Sequence, residues 1–125
     1  RHNLENKVEL RFGFRGRHEI AELVNNALVC AYFPLDEDSL GFVTMEAFTA
    51  AKPIITAFDA GGLLEIVEDK HTGLVVAPEA EQIAYALDWF GEDHSRAAIL
   101  GRAARSCLYA KQITWDYALE TLLNT

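Results

Sequence analysis

The chain has 125 residues, half of them hydrophobic, and a formal net charge of −8 at pH 7. This length suffices for one domain with a buried core, and no apolar run approaches the roughly 20 residues that a membrane-spanning helix needs. The acidic balance argues against a general binder of nucleic acid or of anionic membranes.

The first half of the chain alternates predicted strands and helices. Apolar runs predict strands over residues 8–14, 28–33 and 53–58, the second of them stopped by a proline. Helical spacing of the apolar positions from Ile20 to Ala27 predicts a helix between the first two strands. Residues 46–52 are predicted to form a helix between the second and third.

The second half is mostly helical. A short helix is predicted over residues 63–68, a fourth strand over 74–76, and longer helices over 80–90 and 95–111. A last helix begins after Thr114, a plausible N-cap. Strands that alternate with helices pair in parallel through right-handed crossovers. We therefore predict an α/β fold, a Rossmann-like parallel sheet of about four strands with helices on both faces and a helical C-terminal end.

Cysteine and histidine usage favours a reducing compartment and offers no metal site. Cys30 lies in an apolar strand and Cys107 on a helical apolar stripe, and nothing in the sequence pairs them. The four histidines are scattered and lack the spacing of metal ligands. We therefore expect a cytoplasmic protein without a bound metal.

An acidic loop is the most informative feature of the chain. Asp36, Glu37 and Asp38 follow the predicted second strand, and Gly41 leads from this loop into the next helix. Ligands of α/β proteins bind at the carboxyl ends of strands, and a helix start offers unpaired backbone N–H groups to a phosphate. The loop is therefore the leading candidate for a binding site.

The spacing of this loop resembles a known family. Asp38 and Glu46 are eight positions apart with Gly41 between them, which resembles the E-x(7)-E signature of retaining, nucleotide-sugar-dependent glycosyltransferases of the group 1 type, with the GT-B fold. Further motifs follow in the family's order: Lys52-Pro53-Ile54-Ile55-Thr56, Gly61-Gly62-Leu63-Leu64-Glu65-Ile66-Val67, His71-Thr72-Gly73-Leu74-Val75-Val76 and Thr114-Trp115. Five motifs in order span nearly the whole chain and make the resemblance specific.

The resemblance implies roles for five residues. Glu46 would accept hydrogen bonds from the ribose hydroxyls of the donor nucleotide, and Asp38, where the family usually has Glu, would contact the donor hexose in the catalytic centre. The backbone of Gly41, Phe42 and Val43 would face the diphosphate, with no metal required. Simpler readings stay open: Glu46 is a first-turn Glu favoured by the helix dipole, Asp38 a turn or cap residue, and Gly41 a glycine that permits the turn.

Two other features allow several interpretations. Gly61-Gly62 lines the same crevice or only makes a tight turn. Arg11, Arg15, Arg17 and His18 form a local basic cluster, which is a solvated loop, a positive rim near the ligand's phosphates or an RNA patch, in that order of preference. The turn of residues 14–16 follows a predicted strand and is a weak candidate for contact with the base.

The resemblance covers only the later part of the family's C-terminal, nucleotide-binding domain, so residues 1–125 are predicted to be a single partial domain. The resemblance implies that the family's N-terminal, acceptor-binding domain has no counterpart in residues 1–125. It implies the same for two strands that usually carry an Arg and a Lys on the diphosphate. In the family's strand order 3-2-1-4-5-6, those strands lie between this chain's first and second. Such a gap exposes unpaired backbone groups, and we expect the sheet either to close up or to self-associate through a free edge.

The predicted function is therefore the donor-binding part of a glycosyltransferase. The complete enzyme would move a sugar from a nucleotide-diphosphate-sugar to an acceptor hydroxyl with retention, and the isolated chain would have little or no activity. The alternative is a non-catalytic, stand-alone module of that fold that binds a nucleotide or a partner protein. An epimerase or phosphorylase of the same fold is a third reading.

Overall fold

A computed structural model describes residues 6–13, 16–111 and 115–123 of the chain. In chain order its helices and strands are α1 (Arg17–Asn26), β1 (Cys30–Ala31), α2 (Phe42–Thr49), β2 (Ile54–Ala57), β3 (Gly73–Val76), α3 (Ala80–Glu92), α4 (His94–Ala110) and α5 (Trp115–Leu123). A single 3₁₀ turn, Gly62–Glu65, lies between β2 and β3.

The described residues form one parallel sheet in the order β1-β2-β3. Cys30 is the partner of Ile54, and Ile54 is the partner of Gly73. Consecutive strands are neighbours and run in the same direction, so each connection crosses over a face of the sheet. The prediction of a Rossmann-like α/β fold is confirmed, with three strands instead of about four.

The sheet is covered on both faces. All four residues of β2 are buried, and neighbouring residues of a strand point to opposite faces. Ile54 accordingly packs in one apolar cluster with Ala47 and Phe48 of α2. Ile55 packs in a second cluster with Phe90 of α3. Helix α4 contributes to both clusters, so the C-terminal helical part of the chain closes the core.

The predicted strand over residues 8–14 is wrong in its described part. Residues 8–13 have no regular structure, and Phe14 lies outside the described residues. Leu10 is 73% exposed and Phe12 is 82% exposed. Alternating apolar residues fit a strand, but a strand also needs a neighbour for its backbone groups. No described strand lies beside this segment, and the pattern alone does not form one.

Other boundaries differ from the predicted ones. Only residues 30–31 of the predicted strand over 28–33 belong to β1. The helix predicted over residues 63–68 is the shorter 3₁₀ turn. Thr114, the expected N-cap of α5, lies outside the described residues.

Both cysteines are free, and no helix in the described part of the chain is long and apolar enough to cross a membrane.

Candidate functional site

The acidic loop lies at the carboxyl end of β1 and is tied to the loop that follows β2. Asp36, Glu37 and Asp38 are all exposed. The Asp36 N–H donates to the Asp59 carbonyl at 2.8 Å, and the Glu37 N–H donates to the Ala60 carbonyl at 2.9 Å. These bonds continue the parallel pairing beyond the strands themselves. The carboxylates are thereby held at the carboxyl edge of the sheet, where the sequence places a ligand.

The Gly61-Gly62 turn lies directly against this loop. The Gly62 N–H donates to the Glu37 carbonyl at 2.6 Å, and Glu37 and Gly61 form an isolated parallel bridge. Gly61 has a φ of +103°, in the region that favours glycine. The sequence left open whether this turn lines the crevice. The structure places it in contact with the acidic loop.

Helix α2 begins at the same edge with an uncapped first turn. Gly41, its N-cap, has a φ of +81° and provides no side-chain cap. The first N–H groups of a helix have no partner within the helix, so those of Phe42 and Val43 are available to an anion. The ring of Tyr32 lies against Gly41, since an added Cβ would be 2.8 Å from its Cε2 atom. Sequence reasoning missed Tyr32, which lies in an ordinary apolar run.

The two faces of α2 divide the site from the core. Thr44, Ala47 and Phe48 are buried against the sheet. Phe42, Val43 and Glu46 are exposed, and their spacing of three and four residues places them on one face of the helix. Phe42 is 86% exposed, an unusual fraction for so large an apolar ring. The residues that the sequence analysis selected on this helix therefore share its solvent-facing side.

The charge of Glu46 affects the pKa of Cys30, the first residue of β1. Burial raises the pKa of the Cys30 thiol, Lys52 lowers this pKa, and Glu46 raises it. Cys30 therefore lies within electrostatic range of both charged side chains. Its raised pKa leaves the thiol largely protonated and a poor nucleophile at neutral pH.

The basic cluster is only partly available to a ligand. Arg11 donates to the Glu9 carboxylate at 2.9 and 3.1 Å and also pairs with Glu19 at 3.8 Å. These carboxylates raise its pKa, the hydrogen bond to Glu9 most of all. Arg17 and His18 are exposed. Arg15, together with Phe14 of the turn expected near the base, lies outside the described residues. The ion pairs of Arg11 favour the solvated-loop interpretation.

The part of the chain that the structure describes contains no evident metal-binding site. Within residues 6–13, 16–111 and 115–123, no three His, Cys, Asp or Glu side chains are placed to hold one ion. The three carboxylates of the acidic loop are not such a group. The arrangement instead offers backbone N–H groups, one helix start and two exposed carboxylates, Asp38 and Glu46, which suit a ligand with both phosphate and hydroxyl groups.

Comparison with known proteins agrees with this chemistry. Residues 1–106 match the family described as Glycosyl transferases group 1. A D-inositol 3-phosphate glycosyltransferase of Stackebrandtia nassauensis is 34% identical over 111 residues, which are 88% of this chain and 24% of that protein. A GDP-mannose-dependent alpha-(1-6)-phosphatidylinositol monomannoside mannosyltransferase of Mycobacterium tuberculosis is 37% identical over 83 residues, 66% of this chain and 21% of that protein.

Solved structures share the fold over nearly the whole chain. A sucrose-phosphate synthase from Thermosynechococcus elongatus superposes with a TM-score of 0.78 at 29% identity, covering 95% of this chain and 29% of that one. Anabaena Alr3699/HepE in complex with UDP-glucose superposes with a TM-score of 0.73 at 27% identity, covering 98% of this chain and 34% of the other.

The chain is much shorter than these proteins. It spans about a quarter of the length of the first curated relative, 24% of that protein, and at most about a third of the solved structures described above. The family match nevertheless covers most of the chain, and the parallel sheet and its flanking helices are those of the solved relatives. The protein therefore belongs to the group 1 glycosyltransferases, with the Rossmann-like fold of their GT-B structures.

Proposed function

We propose that this chain is the donor-binding part of a glycosyltransferase that moves a sugar from a nucleotide-diphosphate-sugar to an acceptor hydroxyl with retention of configuration. One observation carries the proposal: the acidic loop with Asp38 is tied to the turn after β2 at the carboxyl edge of the sheet, and it leads into the uncapped start of α2, one turn before Glu46. A relative that aligns with 98% of this chain has been solved with UDP-glucose, which supports the same ligand class here.

Glu46 is assigned to the ribose. It lies one turn into α2 on the exposed face, and Ala47 and Phe48 fix that helix in the core. A carboxylate accepts from two adjacent hydroxyls at once, which suits the two ribose hydroxyls. Because the helix is anchored behind it, the position of Glu46 does not depend on the acidic loop.

The start of α2 is assigned to the diphosphate. Gly41 has no side chain, so a phosphate oxygen can approach its backbone closely. The N–H groups of Phe42 and Val43 and the positive end of the helix dipole then face the anion. These groups stabilise a leaving diphosphate without a metal ion, and we propose that the reaction needs none. Unchanged donor affinity after treatment with EDTA is the expected outcome.

Asp38 is assigned to the donor hexose. A carboxylate there orients the sugar and stabilises positive charge that develops at the anomeric carbon. Its side chain is one methylene shorter than that of the Glu the family usually has, so a correct backbone position matters more. The hydrogen bonds that precede it, at Asp36 and Glu37, supply that position.

The complete reaction requires more than this chain. An acceptor-binding domain supplies the second substrate, and we propose that such a domain, in the cytoplasm, is the partner of this one. By itself the chain is expected to show little or no transfer. Turnover of a nucleotide-sugar by the isolated chain at the rate of a complete enzyme would contradict this assignment.

Calorimetry tests the proposal directly. UDP, GDP and ADP are titrated into the unaltered chain, Glu46→Ala and Glu81→Ala. Glu81 is a matched control because it is an exposed Glu in the first turn of α3. One nucleotide should bind best, and Glu46→Ala should weaken it by about 1.5–3 kcal/mol, the range for a lost charged hydrogen-bond partner. Equal effects of the two variants on affinity would mean that Glu46 does not bind the ribose and is only a first-turn Glu favoured by the helix dipole.

A second candidate is a stand-alone module that binds a nucleotide or a partner protein without catalysis. The edge of β1 favours it, because β1 pairs with β2 on one side and with no described strand on the other. Such an edge recruits further strands, including those of a second copy. Sedimentation over a range of concentrations is the test. Concentration-dependent dimers would show that this edge recruits a second copy, whereas a monomer at every concentration would remove the observation that favours this candidate.

A further inference from the structure

We infer that Gly61 and Gly62 are positioning residues for Asp38. Their missing side chains allow the turn after β2 to hold the acidic loop where Asp38 can meet the donor hexose. The inference deepens the proposed function and rests on it. It assigns a positioning role to two glycines that have no side chain with which to bind a ligand.

Close approach of two backbones is the first part of the case. The Glu37 carbonyl accepts from the Gly62 N–H at 2.6 Å, and the Glu37 N–H donates to the Ala60 carbonyl at 2.9 Å. Glu37 is therefore clamped by both of its backbone polar groups, immediately before Asp38. Because only backbone atoms make these bonds, the bonds persist only while the acidic loop and the turn after β2 remain in contact.

Sterics explain why both positions are glycine. A Cβ on Gly61 would lie 2.5 Å from the Glu37 carbonyl oxygen and 2.6 Å from its nitrogen. A Cβ on Gly62 would lie 2.3 Å from the Asp38 carbonyl oxygen and 2.8 Å from its carbonyl carbon. The opposing atoms are backbone and cannot rotate away, so any side chain at Gly62 must displace Asp38 itself.

A side chain at Gly62 should affect some contacts with the ligand and not others. Displacement of Asp38 by about 1 Å is enough to disturb a catalytic or binding geometry strongly. Glu46 and the start of α2 are held instead by the buried face of that helix, through Ala47 and Phe48. The hexose contact should therefore be lost while the ribose and diphosphate contacts remain.

The experiment compares the affinities for UDP-glucose and UDP in the unaltered chain, Gly62→Ala and Gly101→Ala, with GDP-mannose and GDP as a second pair. Gly101 is a matched control because a Cβ there would lie 1.9 Å from the Ala51 carbonyl oxygen, past the end of α2 away from Gly41. Both variants thus force a side chain against backbone, but only one does so at the acidic loop.

We expect Gly62→Ala to lose about tenfold in affinity for the nucleotide-sugar, the effect of one charged hydrogen bond. Its affinity for the nucleotide alone should change less than about threefold. Gly101→Ala should leave the ratio of the two affinities unchanged. An unchanged ratio in Gly62→Ala overturns this inference alone, whereas failure of the unaltered chain to bind any of these ligands overturns the proposed function and the inference with it.

Amide hydrogen exchange on the unaltered chain gives a second reading that does not require the variant to fold. The Glu37 and Gly62 N–H groups should exchange much more slowly than that of Ser39, for which the structure gives no backbone partner of this kind. Exchange of the Glu37 and Gly62 amides at the rate of an open loop would show that the turn does not hold Asp38, and would overturn the inference.

Discussion

The two ends of the sheet differ in whether the apolar segments of the sequence form regular, buried structure. Around β2 and β3, apolar runs are strands with both faces buried, and α3 and α4 complete the core. Before β2, residues 8–13 form no strand, α1 buries none of its residues, and β1 is two residues long. Both parts carry comparable apolar residues.

The difference teaches that an apolar pattern needs a partner surface. Leu74 in β3 is 1% exposed because strands and helices cover it, whereas Leu10 is 73% exposed although its segment alternates like a strand. That two further strands of the family lie between this segment and β1 stays a prediction from the resemblance. The candidate site lies at the boundary between the two regions and is held mainly from the well-packed side, through the turn after β2 and the buried face of α2.

The largest expected effect separates these two leucines. Leu74→Ala should lower the free energy of unfolding by about 2–5 kcal/mol, the range for a buried Leu that leaves a cavity. Leu10→Ala should change it by less than about 0.5 kcal/mol, as for surface residues. Urea unfolding followed by circular dichroism measures both. Similar losses for the two variants would show that residues 8–13 are packed in solution, and the contrast between the regions would disappear.

An intermediate effect tests the packing of α4 on the end of α2. Gly101→Ala places a Cβ against the Ala51 carbonyl and should cost about 1–3 kcal/mol of stability, as overpacking does. Gly91→Ala in α3 meets nothing within 4 Å and should leave stability unchanged or raise it by up to about 1 kcal/mol, because Ala favours helix over Gly. If the two variants unfold at the same urea concentration, the close helix contact is not formed.

The smallest effect depends on pH and concerns the start of α4. Asp93 accepts from the Ser95 N–H at 3.0 Å, and the hydrogen bonds from Ser95 hold the pKa of this carboxyl below its ordinary 3.8. A lowered folded-state pKa stabilises the fold above the unfolded-state value and loses that contribution as pH falls through the folded-state value. Asp93→Ala should therefore destabilise at pH 7 and less at pH 3, with Asp93→Asn intermediate at pH 7. Chemical unfolding at both pH values measures this, and an equal deficit at both would contradict the charged cap.

Much of the fold could be predicted because its signals are local. The continuous apolar runs give β2 and β3, and helical spacing gives α3 and α4 to within a few residues. The strand over residues 8–14 could not be judged in this way, since Val8, Leu10 and Phe12 alternate correctly whether or not a neighbour exists. Strand pairing is a long-range property, and local pattern does not report it.

The candidate site also has features that could be predicted from the sequence and features that could not. The sequence predicted that Gly41 leads into the helix that carries Glu46, and the structure has this order, although α2 begins at Phe42 and not at residue 46. The contact between Gly61-Gly62 and the acidic loop joins segments more than 20 positions apart, so the sequence could not decide between a tight turn and a turn that lines the crevice. Tyr32, which packs on Gly41, gave no signal because it lies in an ordinary apolar run. The roles of Asp38 and Glu46 toward a donor stay predictions.

The central claim is that a nucleotide-sugar binds at the start of α2. Titration of the ¹⁵N-labelled chain with UDP-glucose, followed by amide chemical shifts, tests it most directly. We predict saturable shifts that are largest at Gly41, Phe42 and Val43, accompanied by Asp38 and Glu46. Saturable shifts that cluster elsewhere, or no shifts with UDP-glucose or GDP-mannose at millimolar concentration, would contradict the account.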